Sequence, residues 1–144
     1  MRINCVTLLA LLALAPCGCG PRTTYGEVEG VVTVDGRPLP KVEVRFMPEP
    51  GGGSAARAVG YTDANGHYRL TLDGGEPGVA VGSYVVCLAD PTAKRPGSGP
   101  VKGRAAARPR FAVEFTDASR TPLRDYKVQP GRQTINLAAT TASR

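Results

Sequence analysis

Residues 60–70 read GYTDANGHYRL. Asp63, Asn65 and His67 crowd into this stretch, so it is either a cation site, a catalytic site or a chain reversal. A calcium loop spreads about six oxygen ligands over some twelve residues and closes on an acid. After Gly66 the chain runs HYRLTL with no acid before Asp73, and Tyr68, Arg69 and Leu70 stand where ligands are needed. A turn uses every residue. Asp opens turns through its side chain, and Asn and Gly tolerate positive φ. Asn-Gly between alternating runs is the strongest short hairpin signal. His67 then alternates with Tyr68 and points away from the core. The chain has no second His to complete a metal site beside it. The stretch reads as a turn, with no metal, no cofactor and no catalytic group assigned to it.

Outward from this turn the pattern keeps period two. GEVEGVVTV (26–34) alternates, DGRPLP (35–40) turns, and KVEVRFMP (41–48) sets Val42, Val44 and Phe46 on one face against Glu43 and Arg45 on the other. AVGYT (58–62) precedes the DANG turn, and HYRLTL (67–72) sets Tyr68, Leu70 and Leu72 on one face. DGGEPGVAVG (73–82) reads as a long turn region, and SYVVCLA (83–89) as a central strand because it is apolar throughout. FAVEF (111–115), YKV (126–128) and QTINLAA (133–139) complete about seven short strands with turn signals between them. No stretch of the folded part repeats at helical spacing. Short alternating strands in this number predict an all-β sandwich, in which each sheet buries one face on the other.

Composition narrows the function classes. Of 144 residues, 18 are Lys or Arg against 12 Asp or Glu, giving a net charge of +6, with one His and no Trp. With one His, a catalytic triad or a multi-His metal site is hard to build within one chain. Aromatics are 6% of the sequence, too few for a base-stacking surface, so nucleic acid is not an expected partner. Cys87 is the one cysteine of the folded part and reads as a small buried hydrophobe.

The first twenty residues, MRINCVTLLALLALAPCGCG, carry Arg2, no acid, an apolar run from Val6 to Ala15, then small residues and cysteines. That is the layout of a secretory signal. The run is about ten residues, where a membrane span needs roughly twenty. The ending LAPCGC resembles a bacterial lipobox, in which an apolar and two small residues precede a cysteine that becomes acylated. Cys19 has Gly18 immediately before it; Cys17 has Leu14 and Ala15 but Pro16 next to it. Cys19 is the expected lipidation site and Cys17 the alternative. The expected division is a signal peptide over 1–18, a tether over 19–24, a domain over 25–140 and a tail over 141–144. Gly20 is not a sorting acid, so the pattern implies an exported, lipid-anchored protein of the outer membrane or cell surface, with the periplasmic side open.

The ordered set VEGVVTVDGRPLPKVEVRFMP, GYTDANGHYRL, GVAVGSYVVCL and YKVQPGRQTINL resembles a carboxypeptidase regulatory-like domain. The resemblance covers nearly all of the chain after the signal. It implies a seven-stranded transthyretin-like, prealbumin-type Greek-key sandwich without catalysis. A related sandwich, the collagen-adhesin B-type domain, forms a Lys–Asn crosslink. Asn136 lies on the expected last strand, but GEVEGVVTV has no Lys.

The segment KRPGSGPVKGRAAARPRF holds Lys94, Arg95, Lys102, Arg104, Arg108 and Arg110 and no acid. It is either a solvated loop or an anion contact, whose partner would be lipid headgroups, an anionic envelope polymer or an acidic protein. The function expected from the whole is a non-catalytic, lipid-anchored module of the cell envelope, structural or binding. The alternative is a periplasmic binder of a small ligand or carbohydrate. Sugar binders present aromatic rings, and Tyr25, Tyr61, Tyr126, Tyr84 and Phe111 are the rings expected to be free.

Overall fold

The computed structural model describes residues 23–52, 56–93 and 110–141. Its first strand, β1 (Tyr25–Val34), alternates without a break: Val28, Val32 and Val34 are buried while Tyr25, Glu27, Glu29 and Val31 face outward. Burying one such valine stabilises by roughly 1.5–3 kcal/mol, so this face fixes the register. The chain then continues through β2 (Arg37–Pro38), β3 (Glu43–Pro48), β4 (Ala58–Tyr61), β5 (His67–Arg69), β6 (Thr71–Leu72), β7 (Val79–Ala80), β8 (Gly82–Ala89), a 3-10 turn (Val113–Thr116), β9 (Tyr126–Val128), β10 (Gly131–Thr134) and β11 (Leu137–Ala139). The fold is all-β, with no α-helix among the described residues, and its strands form two sheets consistent with a β-sandwich.

In the first sheet every strand pairs with β1. Along one edge of β1 lie β7, β5 and β2, all antiparallel; along the other lie β10 and β11, both parallel. The second sheet runs β6-β4-β3-β8-β9 and is antiparallel throughout. Between the sheets sit Val44 and Phe46 of β3, Tyr84, Val86 and Leu88 of β8, Tyr68, Leu70 and Leu137. Phe46 packs against Tyr84 with ring centroids 5.8 Å apart and against Tyr126 at 6.3 Å.

The chain passes from one sheet to the other six times, and three of these crossings bear on the sequence pattern. β5 pairs with β1 and β6 with β4, so the chain changes sheets at Leu70. The alternation restarts there, and Leu72 is half-buried rather than aligned with Tyr68 and Leu70. β7 pairs with β1 and β8 with β3, with the crossing at Val81. Residues 79–80, expected in a turn region, are therefore a buried strand. The third crossing joins β9 to β10 through Gln129 and Pro130. FAVEF is not a strand. Phe111, Ala112 and Phe115 are buried and Val113 is 58% exposed, a helical spacing in place of alternation, and Val113–Thr116 forms a 3-10 turn.

The parallel edge of β1 is not continuous. β10 and β11 are separated by Ile135 and Asn136, whose backbone bulges toward β1. Ile135 N–H donates to the Glu29 carbonyl, and the Asn136 side-chain Oδ1 accepts from Val31 N–H at 3.1 Å, replacing the missing backbone acceptor. A Cβ at Gly30 would lie 1.9 Å from the Ile135 carbonyl oxygen, and one at Gly26 would lie 2.2 Å from that of Gln129. Both contacts are backbone on backbone and cannot yield by a rotamer change. Gly30→Ala is expected to lower stability by about 3 kcal/mol or more, the upper end of overpacking costs. Gly74→Ala, whose Cβ meets nothing within 4 Å, should be neutral or slightly stabilising. Urea unfolding of both variants checks the contrast; equal midpoints would refute the close-approach argument.

Candidate functional site

The DANG segment closes on itself. The Asp63 Oδ1 accepts from the N–H of Asn65 at 2.8 Å and of His67 at 2.9 Å, Asp63 N–H donates to the His67 carbonyl, and Gly66 takes φ +77°. The carboxylate is occupied by the turn it starts, as the Asp-turn mechanism requires. His67 is exposed on the outward face of β5. Among the described residues no group of three or more His, Cys, Asp or Glu gathers to hold a metal.

Other polar side chains are likewise engaged by the scaffold. The Tyr68 hydroxyl donates to the Ile135 carbonyl at 2.6 Å, and burial raises its pKa well above the ordinary tyrosine value. The Tyr84 hydroxyl donates to the Ala80 carbonyl at 2.7 Å. The buried Thr62 Oγ1 accepts from Val42 N–H, and the Thr121 hydroxyl donates to the Val86 carbonyl. Cys87 is buried, as expected of a small hydrophobe, and desolvation pushes its thiol pKa up, away from thiolate chemistry.

Of the residues singled out in the sequence, Cys17, Cys19, Lys94, Arg95, Lys102, Arg104 and Arg108 lie outside the described residues. Arg110 lies within them, and it holds the fold together. Its Nε donates to Asp90 Oδ2 at 2.5 Å, one terminal nitrogen to the Pro40 carbonyl at 2.6 Å and the other to the Lys41 carbonyl at 3.1 Å. As an anion contact Arg110 is therefore already engaged. Ala112 N–H donates to the Thr140 carbonyl next to β11, and β11 pairs with the Val34 end of β1. The basic segment thus leaves after Ala93 and returns at Arg110 beside the Val34 end of β1. Tyr25 stands at the opposite end, about 30 Å away at roughly 3.3 Å per residue.

On the outward face of the first sheet unlike charges, an aromatic ring and open volume coincide. Glu27 pairs with Arg132 of β10 at 3.0 Å, and Glu29 pairs with Arg69 of β5 at 3.1 Å. The two acids of β1 thus reach arginines on opposite neighbours. Two clefts follow one another along β1. The first, about 550 Å³, is lined by Tyr25, Glu27, Pro77, Gly78, Gly131 and Arg132. The second, about 470 Å³, is lined by Glu29, Val31, Asp63, His67, Arg69 and Thr134, among others. Of the rings expected to be free, Tyr25 is 49% and Tyr61 64% exposed, Tyr126 is half-buried, and Tyr84 and Phe111 are buried. Tyr25 lines the first of these two clefts. Sequence reasoning missed the Glu27–Arg132 contact, because nothing in the pattern signals that β10 lies parallel to β1.

The chain matches no family model, no curated protein and no solved structure.

The Arg110 clip makes stability depend on pH. Burial alone would raise the Asp90 carboxyl, but hydrogen bonds from Arg110 and Thr92 outweigh it and hold the pKa at about 2. The folded value lies below the unfolded one, near ~4. The contribution is therefore complete above that value and disappears as pH falls through about 2. Asp90→Asn is expected to cost about 1–3 kcal/mol at neutral pH, measured by urea unfolding. The gap to the wild type should close as the pH is taken down toward 2, and a gap constant over that range would refute the assignment.

Proposed function

We propose that this chain is an exported, lipid-anchored, non-catalytic β-sandwich module of the bacterial cell envelope, which binds a partner without converting it. In this reading residues 1–18 are a lipoprotein signal peptide, Cys19 is acylated (with Cys17 the alternative), residues 19–24 form a tether, and residues 25–140 form a carboxypeptidase regulatory-like domain of the seven-stranded, transthyretin-like Greek-key type. The observation that carries the reading is the state of the polar side chains. Asp63, Asp90, Tyr68, Tyr84, Thr62 and Thr121 serve turns and backbone groups, and Cys87 is buried with a raised pKa. What stays exposed and concave is a face of paired charges, suited to recognition.

The tether also orients the domain. An acylated Cys19 is six residues before Tyr25, so the Tyr25 end of β1 faces the membrane. The basic segment is rooted at the far end. Lys94, Arg95, Lys102, Arg104 and Arg108 are assigned to an anionic envelope polymer or acidic protein as partner.

The anchor is tested by phase partitioning. Cys19→Ser is expected to move the protein from the detergent to the aqueous phase and abolish incorporation of labelled fatty acid; if Cys17 is the acylated residue, Cys17→Ser does so instead. Persistence of the double variant in the detergent phase would sink the lipoprotein reading.

A further inference from the structure

We propose that the outward face of the first sheet, from Tyr25 to Val31, is a binding site for a neutral, polyhydroxylated ligand, a glycan segment whose terminal ring stacks on Tyr25. The inference deepens the reading of the chain as a binding module, but it does not depend on lipidation.

The charge balance points to the ligand class. Glu27 is matched by Arg132 and Glu29 by Arg69, so the two pairs cancel, although the whole chain carries +6, and Asp63, which also lines the second cleft, is engaged through its Oδ1 by the N–H groups of Asn65 and His67. An anion would meet Glu27 and Glu29, and a cation would meet the two arginines. A ligand without charge that both donates and accepts hydrogen bonds suits both partners of each pair. Hydroxyl groups do this: they donate to the carboxylates and accept from the guanidinium groups. The pairs contribute little to the fold, since both are exposed and such pairs give about 0–1 kcal/mol. Their place on one face is therefore not explained by stability.

The ring supplies the apolar contact. Tyr25 is half-exposed although it belongs to a strand, and Gly78 lies under it: a Cβ there would come within 3.4 Å of the Tyr25 Cβ. Gly131 borders the same cleft, and a Cβ there would project into open space. Small residues thus leave room beside the ring. The C–H face of a pyranose fits a flat aromatic surface while its hydroxyls stay in the ring plane, directed at Glu27 and Arg132. The second cleft continues along β1 with Glu29, Arg69, Thr134 and His67, all bearing polar groups. From Tyr25 to Val31 the strand runs about 20 Å at roughly 3.3 Å per residue. That length takes a chain of several rings rather than one sugar.

Isothermal titration calorimetry of the purified protein tests this with neutral tetra- to hexasaccharides of glucose, mannose and N-acetylglucosamine in their common linkages, beside dextran sulfate and phosphatidylethanolamine vesicles. At least one neutral oligosaccharide is expected to bind, with longer chains binding more tightly. Tyr25→Ala and Arg132→Gln should each weaken that binding by about tenfold or more and leave the melting temperature nearly unchanged. Tyr61→Ala, an exposed tyrosine outside both clefts, should leave it intact. Failure of every neutral glycan, equal binding by Tyr25→Ala, or loss on Tyr25→Ala of binding to vesicles or dextran sulfate alone would each overturn the proposal. None of these outcomes bears on whether Cys19 is acylated.

Discussion

The backbone hydrogen bonds of β1 are the constraint on which the rest of the structure depends. Five short strands make up the remainder of the first sheet, and each pairs with β1 and with no other strand. None of them, at two to four residues, would persist alone. β1 in turn owes its straight run to the valines on its inner face and to two glycines that let the last segment of the chain come close. Where the Gln129 and Ile135 carbonyls turn inward, only a residue without Cβ fits. The parallel placement of β10 and β11 then carries Arg132 to Glu27, so the ion pair on the outer face follows from the glycines on the inner one.

Much of this was legible in the sequence. The alternation of 26–34 and of 41–48, the apolar run of 83–89 and the Asn-Gly turn each report a local physical rule, and each appears where the rule puts it. The misses share a cause, since they depend on partners distant in sequence. The change of sheet at Leu70 resets the alternation with no signal in HYRLTL. The 3-10 turn at Val113 follows from Phe111 and Phe115 entering the core together. The role of Asn136 is invisible until β11 is known to run beside β1.

The candidate site divides in the same way. Composition pointed to the Lys and Arg between 94 and 110, and the described member of that set, Arg110, holds the loop before β3 to the end of β8. Its low-lying partner Asp90 shows how firmly that charge is committed to the interior. Arg69 and Arg132 attract no notice in the sequence, yet both meet acids on an open face, and Arg132 shares a cleft with Tyr25. Local charge density and local availability are different properties, and only the fold separates them.

The crossings at Leu70, Val81 and Gln129 would have a mechanical meaning if the chain were held ahead of Tyr25. A pull on the chain ahead of Tyr25 runs lengthwise along β1, and the hydrogen bonds to β7, β5, β2, β10 and β11 then bear the load side by side, in shear, instead of opening one after another. Because β5, β7 and β10 continue into or out of the second sheet, that load passes to both layers. Resistance to force is set by the rate of unfolding rather than by its equilibrium, and a strand clamped along both edges and stitched across the sandwich makes that rate slow.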